Sequence, residues 1–147
     1  ALDILRLEKK FLHWGHDITS ENNPLEAGLS FAVNFKKDIN FIGKEALSNI
    51  KKSPLNKRLE LFSLKNNFKP GEPLILHDEP IYNNDKLVGY TTSSNYSFCY
   101  NKNICLGYIK VDAGNYDDLF IEIEGEKYSL LKEDNAIHDP DSKLLRA

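Results

Sequence analysis

Residues 80–92 read Pro-Ile-Tyr-Asn-Asn-Asp-Lys-Leu-Val-Gly-Tyr-Thr-Thr, two short apolar runs either side of Asn83-Asn84-Asp85. Asparagine and aspartate tolerate positive φ, so the polar trio predicts a hairpin turn joining strands at 80–82 and 86–92. Short runs bounded by turn residues continue in both directions, at 57–64, 73–77, 104–111, 119–124 and 127–131, with Gly125 turning the last pair. This spacing predicts an all-β module from residue 55 onward, a small antiparallel barrel or Greek-key sandwich. The tail from His138 to Ala147 reads as an extended arm.

Upstream of Pro54 the texture differs. Residues 2–12 read as a helix of mixed amphipathicity that gives way at Gly15, although Leu5-Arg6-Leu7-Glu8 alternates and leaves a strand open locally. Leu29, Phe31, Val33 and Phe35 alternate with smaller or polar residues, the period of a half-buried strand. A short helix follows over 43–51, with Ala46, Leu47 and Ile50 on one face. The chain therefore divides into residues 1–54 and 55–147, an α+β whole.

The 147 residues amount to 16.8 kDa, enough to bury roughly 68–70% of the unfolded surface. Nineteen basic against 22 acidic side chains leave a net charge of −3, which gives no electrostatic reason to expect nucleic acid or an anionic membrane as partner. No apolar run approaches the roughly 18 residues of a membrane span. Cys99 and Cys105 are too few for a disulfide scaffold, so a reduced, cytoplasmic or organellar compartment is expected. The chain has no methionine, starts on alanine and opens directly on a helix-like pattern without a capping residue, which suggests a piece of a longer chain. Lysine outnumbers arginine sixteen to three, so Arg6, Arg58 and Arg146 stand either where a planar, bidentate donor is needed or as ordinary surface charge.

No self-contained active site emerges from residue chemistry. His13, His16 and Asp17 lack a zinc spacing and a second ligand cluster, so no metal is expected. Cys99 reads as a small buried hydrophobe rather than a nucleophile. Glu8, which follows Leu5 and Leu7 in Leu-Arg-Leu-Glu, is expected to be partly buried and to need donors. Two readings remain open for it: an ion pair with Arg6 or a nearby lysine, or a carboxylate that accepts paired N–H bonds from an aminopyrimidine edge.

Residues 1–19 (ALDILRLEKKFLHWGHDIT), 23–35 (NPLEAGLSFAVNF) and 41–47 (FIGKEAL) together resemble the folate-binding aminomethyltransferase family, whose best-known member is the glycine-cleavage T-protein. The likeness is greatest to the C-terminal region of dimethylglycine and sarcosine dehydrogenases, and residues 87–111 (LVGYTTSSNYSFCYNKNICLGYIKV) resemble their hairpin and Gly-Tyr-Ile strand. It implies the end of an aminomethyltransferase folate-binding core, then the family's small C-terminal antiparallel β-barrel. It also implies tetrahydrofolate as cofactor, with Glu8 on the pterin, Trp14 stacking on or walling the site or else simply packing, and Lys36 or Lys37 where T-proteins usually carry arginine. FAD belongs to a domain upstream of this chain, as does the family's catalytic aspartate; no catalytic residue is expected here.

The resemblance implies a compartment that is cytoplasmic, or the mitochondrial matrix in a eukaryote. The expected partners are folate and the upstream domains of a parent chain. The alternatives are part of a stand-alone T-protein, which needs a lipoyl carrier protein, or a non-catalytic folate-binding scaffold. Leu2, Leu5, Phe11 and Phe31 are expected to form an exposed apolar face, which a homodimer exchanging its first helix could cover.

Overall fold

The computed structural model describes residues 1–66 and 68–146. Six antiparallel strands form a closed barrel: β1 (Lys57–Leu64), β2 (Pro80–Asn83), β3 (Lys86–Ser97), β4 (Lys102–Lys110), β5 (Leu119–Ile123) and β6 (Glu126–Glu133). Their order around the barrel is β1-β4-β3-β2-β5-β6, and β6 pairs back onto β1. Closure leaves no free sheet edge. The β2–β3 turn is the one the sequence indicates: Asn83 pairs with Lys86, and Asn84 takes φ 51°. Between β5 and β6, Glu124 and Gly125 both have positive φ, as a two-residue hairpin of this type requires.

The barrel interior is filled by Phe62, Ile81, Val88, Cys105, Ile109, Ile121 and Leu130, among others. A second apolar cluster, Leu59, Leu61, Ile104, Leu106 and Tyr108, lies on the outer face of β1 and β4 and is covered by Leu7 with Ile4, Leu12 and Ile137. β4 is thus buried on both faces, which is why its sequence reads as a continuous apolar run rather than an alternation.

The segment that covers this face begins with α1 (Leu2–Glu8), four residues shorter at its C-terminal end than the sequence pattern suggests. Lys10 takes φ 55°, its N–H bonds Leu7 O at 2.9 Å, and Phe11 N–H bonds Arg6 O at 2.7 Å. This pair of bonds is a Schellman stop with lysine where glycine is usual.

The strand expected over residues 29–35 does not form. Asn23 Oδ1 accepts from Leu25 and Glu26 N–H at 3.0 Å each, Leu29 N–H bonds Pro24 O, and a 3-10 turn spans Ser30–Ala32. Local turn bonds consume the backbone groups that a sheet neighbour would have needed. Helix α2 (Lys44–Lys51) forms as expected.

Residues 73–77, also expected as a strand, are irregular. Ser94 Oγ donates to Ile75 O, and Thr91 Oγ1 to Leu76 O at 2.7 Å, so β3 hydroxyls take the place of a ladder while Ile75 plugs the core. The tail is not an extended arm either: it folds back on α1 and ends in a 3-10 turn at Leu144–Arg146. Ala147 lies outside the described residues.

Candidate functional site

Three consecutive residues of α1 meet the barrel. Leu7 is fully buried in the outer cluster, while Arg6 and Glu8 reach opposite ends of a polar run on β3. That run, Thr-Thr-Ser-Ser-Asn-Tyr-Ser over 91–97, is largely buried, so its hydroxyls require partners.

Glu8 is 4% exposed, and its Oε1 accepts from Ser97 Oγ at 2.6 Å. Tyr100 N–H donates to the same Ser97 oxygen at 3.3 Å, which leaves the serine proton for the carboxylate. Oε2 accepts no hydrogen bond among the described residues and is not one of the buried atoms left without a partner, so it opens to solvent. The Glu8 backbone is fixed as well, since His138 N–H donates to its carbonyl at 3.0 Å. Neither Arg6 nor a lysine pairs with Glu8, so the ion-pair reading is set aside: Arg6 is committed elsewhere, and Lys9 binds the tail through Asp139 at 3.1 Å.

Arg6 Nη1 pairs with Asp17 Oδ2, and its Nη2 donates to Ser93 Oγ at 2.7 Å. Asp17 is fully buried and also accepts from Thr92 Oγ1 at 2.6 Å and His13 N–H at 2.8 Å. Arg6 Nε is buried without a hydrogen bond, its closest carboxylate oxygen, on Asp3, being 3.7 Å away. Asp17 therefore acts as the buckle between the N-terminal segment and the barrel. Its neighbours His13 and His16 have ring centroids 4.6 Å apart, and no group of three metal-ligating side chains exists among the described residues.

The other residues singled out from the sequence do not join Glu8. Trp14 is 68% exposed beside Gly15, whose φ of 92° turns the chain, so the indole is not packed. Lys36 and Lys37 are both exposed in the loop before α2, where the Lys37 carbonyl accepts from Lys44 Nζ at 2.6 Å. Cys99 is exposed, contrary to its reading as a buried hydrophobe, because it lies in the turn between β3 and β4; Cys105 is the buried cysteine, and burial pushes its thiol up to about 12. Tyr108 was not anticipated. Burial first, then Tyr90, Glu26 and Asp17, push its phenol upward, and its hydroxyl has no partner. Leu2, Leu5, Phe11 and Phe31 are each more than half exposed.

Comparison with known proteins places this architecture. The family model described as the glycine cleavage T-protein C-terminal barrel domain matches residues 57–132, and that of the GCVT N-terminal domain matches 1–37. The chain belongs to the glycine cleavage T-protein family. It is 37% identical over 129 residues to the mitochondrial dimethylglycine dehydrogenase of Homo sapiens, covering 87% of this chain and 14% of that one. It is 41% identical over 109 residues to the mitochondrial pyruvate dehydrogenase phosphatase regulatory subunit of Mus musculus, covering 74% of this chain and 12% of that one. The glycine cleavage system aminomethyltransferase T of Bartonella henselae shares the fold, with TM-score 0.79 at 24% identity over 94% of this chain and 38% of that structure. The chain thus spans only about one-seventh of the dehydrogenase's length. No helix among the described residues is long and apolar enough to cross a membrane.

Proposed function

We propose that this chain forms the barrel and one wall of a tetrahydrofolate site in a longer protein of the dimethylglycine or sarcosine dehydrogenase type, with Glu8 reading the pterin. The observation that carries this reading is the buried Glu8 carboxylate, held by Ser97 through Oε1 while Oε2 has no protein donor. A buried carboxylate needs donors, and an aminopyrimidine edge offers two parallel N–H groups. Trp14 and Lys36 or Lys37, exposed and apart from Glu8 within this chain, would border the same ligand as an apolar wall and as charge for folate carboxylates. Bound tetrahydrofolate would supply the acceptor for a one-carbon unit. The residues of this chain bind and orient; they contribute no acid or base at a reacting atom.

The small share of the dehydrogenase's length spanned here supports a division of labour, with FAD and amine chemistry in a domain not contained in these residues. A matrix location in a eukaryote, or a cytoplasmic one otherwise, accords with the mitochondrial relatives. The likeness to a phosphatase regulatory subunit supports a second reading, a folate-binding scaffold without transfer activity. Amine-driven flavin reduction by the longer polypeptide separates the two, since the scaffold shows none. The pterin assignment itself is tested with an analogue lacking the 2-amino group. Its affinity for that polypeptide should fall well below that of tetrahydrofolate, and equal affinities would contradict the role of Glu8.

A further inference from the structure

Where β1 meets the N-terminal segment there is a cavity of about 550 Å³. Three cations line it: Lys10, Lys51 and Arg58. None of them makes an ion pair among the described residues. Lys10 is half-buried and held by the left-handed backbone that ends α1, and Lys51 Nζ lies 4.6 Å from the centre of the Phe35 ring. The other two arginines have different circumstances, Arg6 bound to Asp17 and Arg146 exposed in the tail, so Arg58 is the one guanidinium at a cavity with its fork free.

The lining carboxylates are Glu26 and Glu60, and Glu60 already accepts from Lys132 Nζ at 3.2 Å. One cation more than the carboxylates therefore faces the space, with the Ser30 and Ser53 hydroxyls beside it, neither of which makes a side-chain hydrogen bond among the described residues. In a chain where lysine outnumbers arginine sixteen to three, a free arginine at a cavity is the residue suited to two parallel bonds with a carboxylate or phosphate.

We propose that this cavity is an anion site, independent of Glu8, for a small molecule presenting two or more carboxylate or phosphoryl oxygens. Arg58 is its bidentate anchor, and Lys10 and Lys51 are flanking charges. The test is calorimetric titration of the 147-residue chain with tricarballylate in one arm and pyrophosphate in the other, at low and at physiological ionic strength. The expected result is saturable one-to-one binding in at least one arm, weaker at higher salt, with the tighter arm naming the source of the oxygens. Arg58→Gln should weaken it about ten- to hundredfold, Arg58→Lys by less because the charge survives without the fork, and Arg146→Gln not at all. Thermal melts confirm that each variant is folded. The proposal is overturned if neither anion saturates, or if Arg58→Gln and Arg146→Gln bind alike.

Discussion

Replacing Asp17 by alanine removes the acceptor shared by three donors, the Arg6 guanidinium, the Thr92 hydroxyl and the His13 N–H. The Arg6 side chain is only 13% exposed, so its charge is left largely without water, keeping Ser93 Oγ and a long contact at 3.4 Å to Phe11 O. All three bonds end on a carboxylate, and removing one partner of a buried, hydrogen-bonded ion pair costs about 3–5 kcal/mol, because the other charge is left stranded. Against a typical total of about 5–15 kcal/mol, this is enough to loosen the N-terminal segment before the barrel opens. Urea unfolding followed by two probes resolves the order, because Trp14 is the only tryptophan and lies in that segment while far-UV circular dichroism reports chiefly the barrel. Asp17→Ala should shift the Trp14 transition first and remove exchange protection from the His138 N–H that bonds Glu8 O. Arg6→Met combined with Asp17→Leu should cost less than Asp17→Ala, since no charge is stranded. An Asp17→Ala protein within about 0.5 kcal/mol of wild type, with protection intact, would refute the buckle.

Two pH effects follow from the fold. Cys105, pushed by burial from 9.0 to about 12, stays protonated in the folded state where the unfolded chain releases its proton. Stability should therefore fall as pH rises from about 9 toward 12, by up to about 1.4 kcal/mol per pH unit, and Cys105→Ala should flatten that slope. At pH 8 a thiol reagent should modify Cys99 alone, and rapid labelling of both cysteines in folded protein would contradict the buried position of Cys105. Partial desolvation raises the Asp139 carboxyl, but the Lys9 hydrogen bond and the Leu144 and Lys143 N–H groups outweigh it and hold the pKa below 3.8. Its contribution is present above 3.8 and is lost as pH falls through the lowered value, so acid should release the tail from α1, and Asp139→Asn should release it at neutral pH. Hydrogen exchange at Lys143 N–H, which donates to Asp139 Oδ1, follows both.

The barrel was legible because its signals are local. Asn84 and Gly125 stand at positive φ in the two hairpin turns, as their residue types favour, and six of the seven expected runs became strands, four near their expected limits while 80–82 and 86–92 extended to β2 and β3. The two failures have a common cause. Residues 29–35 alternate and 73–77 carry a short apolar run, yet neither pattern says whether a partner strand stands alongside, and local turn bonds at Leu29, Ala32 and Val33 and hydroxyls from β3 took those backbone groups instead. Of the candidate site, the burial of Glu8 was readable from the leucines that precede it, Leu5 and Leu7. Its actual partner Ser97 was not, because it lies 89 residues away. Asp17 looked like an idle neighbour of two histidines for the same reason: its donors come from α1 and β3, and sequence spacing carries no trace of that meeting. Cys99 was misplaced because it falls just past the end of β3, at a turn whose position the polar run 91–97 obscured.

The central claim is that Glu8 reads the pterin, and tetrahydrofolate titration of the polypeptide carrying this chain, with and without Glu8→Gln, tests it most directly. The substitution keeps the volume and the Ser97 contact within reach but turns one acceptor into a donor facing a donor. Loss of a charge-assisted bond together with that mismatch should cost about 2–4 kcal/mol, or roughly 30- to 1000-fold in affinity, while flavin reduction by amine stays nearly unchanged. Tetrahydrofolate should bind the 147-residue chain alone very weakly, with or without the substitution. Unchanged affinity in the substituted polypeptide, or tight binding by the isolated chain, would place the pterin elsewhere.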